Sequence, residues 1–142
     1  MGTTTFSGPI KAGTVREGAS ANVGFTVMTQ SAAITELAAS TASSIIIPAN
    51  SQIINMYVLV QTAWDGGTNT LDVGTSADPD LYVDGLATSS LGNHRVTAAA
   101  TGTEANWKDV GTSDVTLYVD SAATGSGTGV LVVQYLQNRN LS

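Results

Sequence analysis

The chain contains no cysteine. That excludes a disulfide framework and any thiolate metal centre, and it leaves the redox compartment open. Charge is nearly as scarce. Charged residues make up 11% of the 142 positions, against about 25% in an ordinary soluble domain. Only five are cationic, and Lys11, Arg16, Arg95, Lys108 and Arg139 are scattered. A net charge of −6 without a basic cluster argues against nucleic acid as a partner, because neutralising a phosphate backbone needs clustered Lys and Arg. Long apolar runs are missing too. The longest, "SIIIP" and "MYVLV", fall far short of the ~18 residues of a membrane span, so no membrane partner is expected. The opening "MGTTTFSGPIKAG" lacks a cationic segment followed by an apolar one and does not read as a secretory leader. Phe6 stands where an N-myristoylation pattern wants Ser or Thr.

Polar surface must therefore come from 20 Thr, 14 Ser and 15 Gly. The length suits one domain that buries about two-thirds of its unfolded surface, enough for a core without staples. Residues 1–22 are rich in Thr, Ser, Gly and Ala and show no periodicity, which predicts an extended N-terminal arm. Residues 23–142 are expected to form a single β domain. "GFTVMTQ" alternates, and "SIIIP" is β-branched and stops at Pro48, which cannot donate to a ladder. "SAAITELAAS" fits either a short helix capped by Ser31 or a strand and loop, with its β-rich neighbours favouring the second. "QIINMYVLVQTAW" and "NTLDVGTS" flank Asp65-Gly66-Gly67, a hairpin signal. "DLYVDG", "HRVTAA", "VTLYVD" and "GVLVVQYLQ" supply further strands. Short strands with turns every ten residues or so predict an all-β antiparallel sandwich, jelly-roll-like, with the arm attached.

The strands differ in how many apolar faces they carry. In "VTLYVD", Val115, Leu117 and Val119 face one way and Thr116, Tyr118 and Asp120 the other, as in a sheet with one dry side. In "INMYVLV", Ile54, Met56, Val58 and Val60 form one apolar face, and Ile53, Tyr57 and Leu59 much of the other. In "VLVVQYL", Val130 and Val132 oppose Leu131, Val133 and Tyr135. A second apolar face needs a cover, either from the same chain or from a neighbouring subunit. With so few charges to hold copies apart, a homo-oligomer is expected. Its interface candidates are Ile53, Tyr57, Leu59, Leu131, Val133 and Tyr135.

Seven of the 11 acidic residues fall in two similar stretches, "DVGTSADPDLYVDG" and "DVGTSDVTLYVDS". Asp78, Asp80 and Asp84 offer hard oxygens of the kind Ca²⁺ takes, but their spacing does not follow an EF-hand loop. Turn chemistry explains them better. Pro79 fixes φ, Asp bonds backbone amides, and "VGTS" reads in each copy as a small-residue bend between two strands. No metal site is assigned, and no cofactor is expected. Catalytic signals are thin as well. His94 is the only histidine, and no nucleophile elbow leads from a strand into a helix. "GSGTG" lacks the Lys-Ser/Thr ending of a phosphate loop and reads as a flexible hairpin or loop. An enzyme is not expected, and no catalytic residue is assigned. Trp64 and Trp107 are candidates either for exposed anchors or for closing the ends of the sandwich core.

The arm "TTTFSGPIKAGTVREG…NVGFTVMTQ", followed by "IIIPANSQIINMYVLVQTAWDGGTNTLDVGTSADPDLYVDG", resembles the head decoration, or capsid cement, proteins of tailed bacteriophages. The resemblance covers most of the first 85 residues and weakly the rest. It implies a non-enzymatic β-rich homotrimer on the outer surface of the virion shell, made in the host cytoplasm. It implies that an arm comprising Thr3, Thr4, Thr5, Phe6, Ser7, Gly8, Pro9, Ile10, Lys11 and Arg16 lies across the major capsid protein or a neighbouring copy. The alternative is a trimeric tail or fibre module that recognises host glycans through aromatic side chains.

Overall fold

Residues 11–14, 22–25, 27–97 and 103–137 are described by a computed structural model. Among the described residues there are ten strands: β1 (Lys11–Thr14), β2 (Asn22–Phe25), β3 (Met28–Thr35), β4 (Thr41–Ile47), β5 (Gln52–Thr62), β6 (Thr70–Gly74), β7 (Val83–Ala87), β8 (Gly92–Arg95), β9 (Val115–Ser121) and β10 (Thr128–Leu136). One turn of 3₁₀ helix, Glu104–Lys108, lies between β8 and β9.

Eight of these strands make two antiparallel four-stranded sheets, ordered β3-β10-β5-β8 and β4-β9-β6-β7. The pairing has a simple logic. β6 pairs with β7, β5 with β8, β4 with β9 and β3 with β10, as if one long hairpin had been rolled up. Contacts of β10 with β5 and of β9 with β6 close the roll. This is the double-sheet jelly roll. The expected all-β sandwich is therefore the observed fold.

The period-2 patterns set the core. From the first sheet, Ala32, Ile34, Met56, Val58, Val60, Leu131, Val133 and Tyr135 point inward. Ile45, Ile47, Leu71, Val73, Val83, Leu86, Leu117 and Val119 meet them from the second. Strand β9 alternates as its sequence predicts, with Leu117 and Val119 buried and Thr116, Tyr118 and Asp120 on the outer side. In "SAAITELAAS" the strand-and-loop alternative holds. Ala32, Ile34 and Glu36 are buried at every second position, a β period and not a helical one.

Three expectations are corrected. In β5 a register shift opposite Gln134 and Tyr135 inserts an extra residue. That bulge turns Ile53 inward, 2% exposed, and Ile54 outward, 36% exposed. Unbroken alternation along "INMYVLV" predicts the opposite faces for the two. Asp65-Gly66-Gly67 is not a hairpin turn, because β5 and β6 lie in different sheets and the segment crosses between them. Both edges of β5 are already taken by β10 and β8, which leaves β6 no place beside it. The two "DVGTS" stretches are not equivalent corners. The first runs through β6 into a turn before β7, whereas the second leaves the 3₁₀ turn at Asp109 and enters β9.

Part of the expected arm is paired. Lys11–Thr14 and Asn22–Phe25 form a two-stranded antiparallel ribbon. Thr3 to Ile10 and Arg16 lie outside the described residues.

Candidate functional site

Where β5 leaves the first sheet, three loops converge on one buried carboxylate. Glu36 follows β3 directly and is 2% exposed. Its Oε1 accepts from Gly66 N at 2.7 Å, and its Oε2 accepts from Asp65 N at 3.0 Å and Gly127 N at 3.1 Å. Its backbone is used as well: Glu36 N donates to Gly127 O at 2.9 Å and Gly125 N donates to Glu36 O at 3.3 Å. A buried charge is tolerated only when hydrogen-bonded, and here three N–H groups supply that. Asp65 adds a second latch. It accepts from Ser126 N at 2.8 Å and Ser126 Oγ at 2.7 Å. These bonds from Ser126 lower the Asp65 pKa, so the latch is present above the ordinary carboxylate range and weakens as pH falls through the lowered value. Trp64 fills the space beneath, 2% exposed, with Gly127 flat against its ring. Within "GSGTG", Gly125 lies close against Glu36 and Gly127 against Trp64, while Thr128 and Gly129 already belong to β10. This corner is a structural clamp.

The acidic residues gather on the second sheet. Asp72 and Asp120 sit directly opposite each other on β6 and β9. Asp72 Oδ1 accepts from Gly85 N at 2.6 Å. Burial raises the Asp72 pKa, the Gly85 bond opposes that, and the charges of Asp84, Asp120 and Asp80 raise it further. Asp78 is raised chiefly by its hydrogen bond with Asp80. Its backbone closes a turn, with Thr75 N donating to Asp78 O at 2.8 Å and Asp78 N donating to Thr75 Oγ1 at 3.1 Å. The turn falls where Asp78-Pro79-Asp80 predicts one, but the bonds that close it come from the Asp78 backbone and the Thr75 hydroxyl, not from an Asp side chain on a backbone amide. Among the described residues no group of three or more His, Asp or Glu is arranged to hold a metal ion.

A raised carboxyl pKa means the folded state binds the proton more tightly than the unfolded state. The stability linked to Asp72 is therefore full below the ordinary carboxylate pKa and is lost as pH rises through the raised value. Asp72→Asn keeps an oxygen for Gly85 and removes the charge. It is expected to raise the melting temperature at pH 7 by a few degrees, about 1 kcal/mol or less because the group is half exposed and screened. At pH 3 the gain should vanish. Thermal melts of both proteins at the two pH values check this.

The sequence-assigned residues separate cleanly. Trp64 and Trp107 are 2% and 7% exposed, so neither is an exposed anchor. Trp107 Nε1 donates to Tyr82 O at 2.9 Å and pins the 3₁₀ turn to the loop before β7. Of the interface candidates, Ile53, Leu131, Val133 and Tyr135 are between 0% and 4% exposed and belong to the chain's own core. They are withdrawn as interface residues. Tyr57 is half-buried and Leu59 is 43% exposed, so these two remain on the surface. His94 lies on the edge strand β8, its Nε2 within 2.8 Å of Ser90 O.

The outer face of the first sheet was only partly foreseen. Val130 stands between Ala33 and Leu59, and Val132 between Ser31 and Tyr57. Polar pairs bracket this apolar centre. At one end Asn55 Nδ2 donates to Gln134 Oε1 at 2.9 Å and Arg95 Nε donates to Asn55 Oδ1 at 3.0 Å. At the other, Thr128 Oγ1 bonds Thr62 Oγ1 at 3.0 Å.

No family model matches the sequence, and no curated protein matches it. The fold is similar to that of a chain in the cyanophage Pam1 capsid asymmetric unit, with a TM-score of 0.53 and 17% identity over 86% of this chain and 93% of that one. The acid-stable capsid of Helicobacter pylori bacteriophage KHP30 contains a chain similar at a TM-score of 0.48, with 16% identity over 78% of this chain and 86% of that one. At 17% identity the likeness to the cyanophage chain is one of fold.

Proposed function

We propose that this chain is a structural virion protein that binds the outside of a bacteriophage capsid as a homotrimer and braces the shell. One observation carries the reading. The jelly roll, over most of its length, resembles a chain of similar size from a phage capsid asymmetric unit. The chemistry of the surface is in keeping with it. The Glu36 corner spends its polar contacts on holding loops together. A charge-poor surface of Thr, Ser and Gly suits close packing on a lattice, where many modest contacts add up to avidity. The partner in this reading is the major capsid protein, reached in part by residues 1–16, since an extended segment gains backbone hydrogen bonds along another chain's edge. Synthesis takes place in the host cytoplasm, and the final location is the outer surface of the head. The glycan-binding alternative drew on Trp64, Trp107 or the tyrosines; both tryptophans are buried, which leaves it only the half-buried Tyr57 and Tyr118.

Co-sedimentation with purified heads lacking the protein tests this. Full-length protein is expected to bind saturably, and a variant lacking residues 1–16 to remain folded and lose most of that binding. Full occupancy by the truncated protein would remove the arm from the account. No binding by either protein would remove the function.

A further inference from the structure

The two faces of the sandwich differ in charge. None of the four strands of the first sheet contains an Asp or Glu, although the chain has 11. The second sheet places Asp72, Asp84 and Asp120 on its outer side. One outer face is therefore acidic. The other is neutral across β3, β10 and β5, with Arg95 of the edge strand β8 at its margin.

From this partition we infer that the outer face of the β3-β10-β5-β8 sheet, centred on Tyr57, Leu59, Val130 and Val132, is the surface through which copies of this chain associate. Three observations argue for a second copy as the occupant. Two chains of net charge −6 repel each other over most of their surface, and this face is where carboxylates are missing and close approach is not opposed. An oppositely charged partner would be drawn to the acidic face, whereas a neutral face selects a neutral partner, which another copy of this chain provides. The layout also matches interface anatomy, with an apolar centre of Leu59, Tyr57, Val130 and Val132 ringed by the Asn55–Gln134 and Thr62–Thr128 pairs. The acidic face is left free for solvent. This inference takes from the proposed function only that copies self-associate, and it names the surface they use.

Analytical ultracentrifugation of the full chain over a micromolar range is the test. Wild type is expected to be oligomeric, and its association should not weaken between 50 and 500 mM salt, as befits an uncharged contact. Leu59→Glu and Val132→Glu each place a carboxylate at the centre and should weaken association at least about a hundred-fold, because a buried charge without a partner is strongly unfavourable. Their circular dichroism and melting temperature should match those of wild-type monomer. Asp84→Lys on the opposite face should leave association unchanged. A monomeric wild type overturns the inference, as does an oligomer that survives both Glu variants or is lost in Asp84→Lys. If wild type is monomeric but binds heads, and Leu59→Glu abolishes that binding, the face belongs to the shell. In that case the virion function stands and the self-contact falls. An oligomer that binds no heads gives the reverse.

Discussion

Glu36→Ala is expected to lower stability by about 4 kcal/mol. The substitution strands three amides, those of Asp65, Gly66 and Gly127, at a corner where the side chain is 2% exposed. Each lost charge-assisted bond that leaves a buried donor unmet costs roughly 1.5–3 kcal/mol, and partial access of water to the loops offsets some of the sum. For a domain of this size the melting temperature should fall by about 10–15 °C. Glu36→Gln provides an internal comparison. Its single oxygen can keep either the Gly66 bond or the two bonds made by Oε2, while its NH₂ faces N–H groups, so the loss should be intermediate. A melting temperature within about 2 °C of wild type for the alanine variant would mean that the corner is held by other contacts.

Gly127→Ala is the second large effect, and its mechanism is steric. A Cβ on Gly127 would lie far inside van der Waals contact with Cδ1 and Cγ of Trp64. Trp64 is 2% exposed and cannot swing away. Gly127 N is at the same time held by Glu36 and its carbonyl by Glu36 N, so the backbone cannot retreat either. Overpacking of this kind costs about 1–3 kcal/mol where neighbours yield, and here they do not, so about 3 kcal/mol or more is expected. The test of mechanism is a double variant. Trp64→Leu opens a cavity and destabilises on its own, but it also makes room for the added methyl. Gly127→Ala in that background should therefore cost much less than it does alone. Additive losses in urea-unfolding measurements would show that the clash is not the cause.

Much of the architecture is legible in the residues themselves. The one-sided alternation of "VTLYVD" gives strand β9 and its buried face directly, and "VLVVQYL" gives β10. What the sequence does not carry is register. The bulge in β5 adds one residue opposite Gln134 and Tyr135, and because side chains alternate with period 2, that shift exchanges the faces of Ile53 and Ile54. Asp65-Gly66-Gly67 has the composition of a hairpin turn, but composition does not say which sheet receives the next strand. The preference for oligomer contacts at Leu131, Val133 and Tyr135 failed for a related reason. A strand with two apolar faces does not reveal which one its own second sheet covers. Glu36 was missed because a lone Glu in an apolar stretch looks like a surface residue, and its partners are backbone amides 29 to 91 positions away in the chain. One further signal is readable in the sequence. With seven acidic residues in two stretches, the strands of the first sheet are left without any, and that depletion marks the neutral face.

The central claim is that this jelly roll is a component of a phage shell. Quantitative mass spectrometry of purified heads emptied of DNA tests it most directly. The account predicts the chain in those heads at a fixed ratio to the major capsid protein, set by the number of equivalent surface sites and unchanged after washing. Its absence from heads, or its recovery only with tails and fibres, would contradict it.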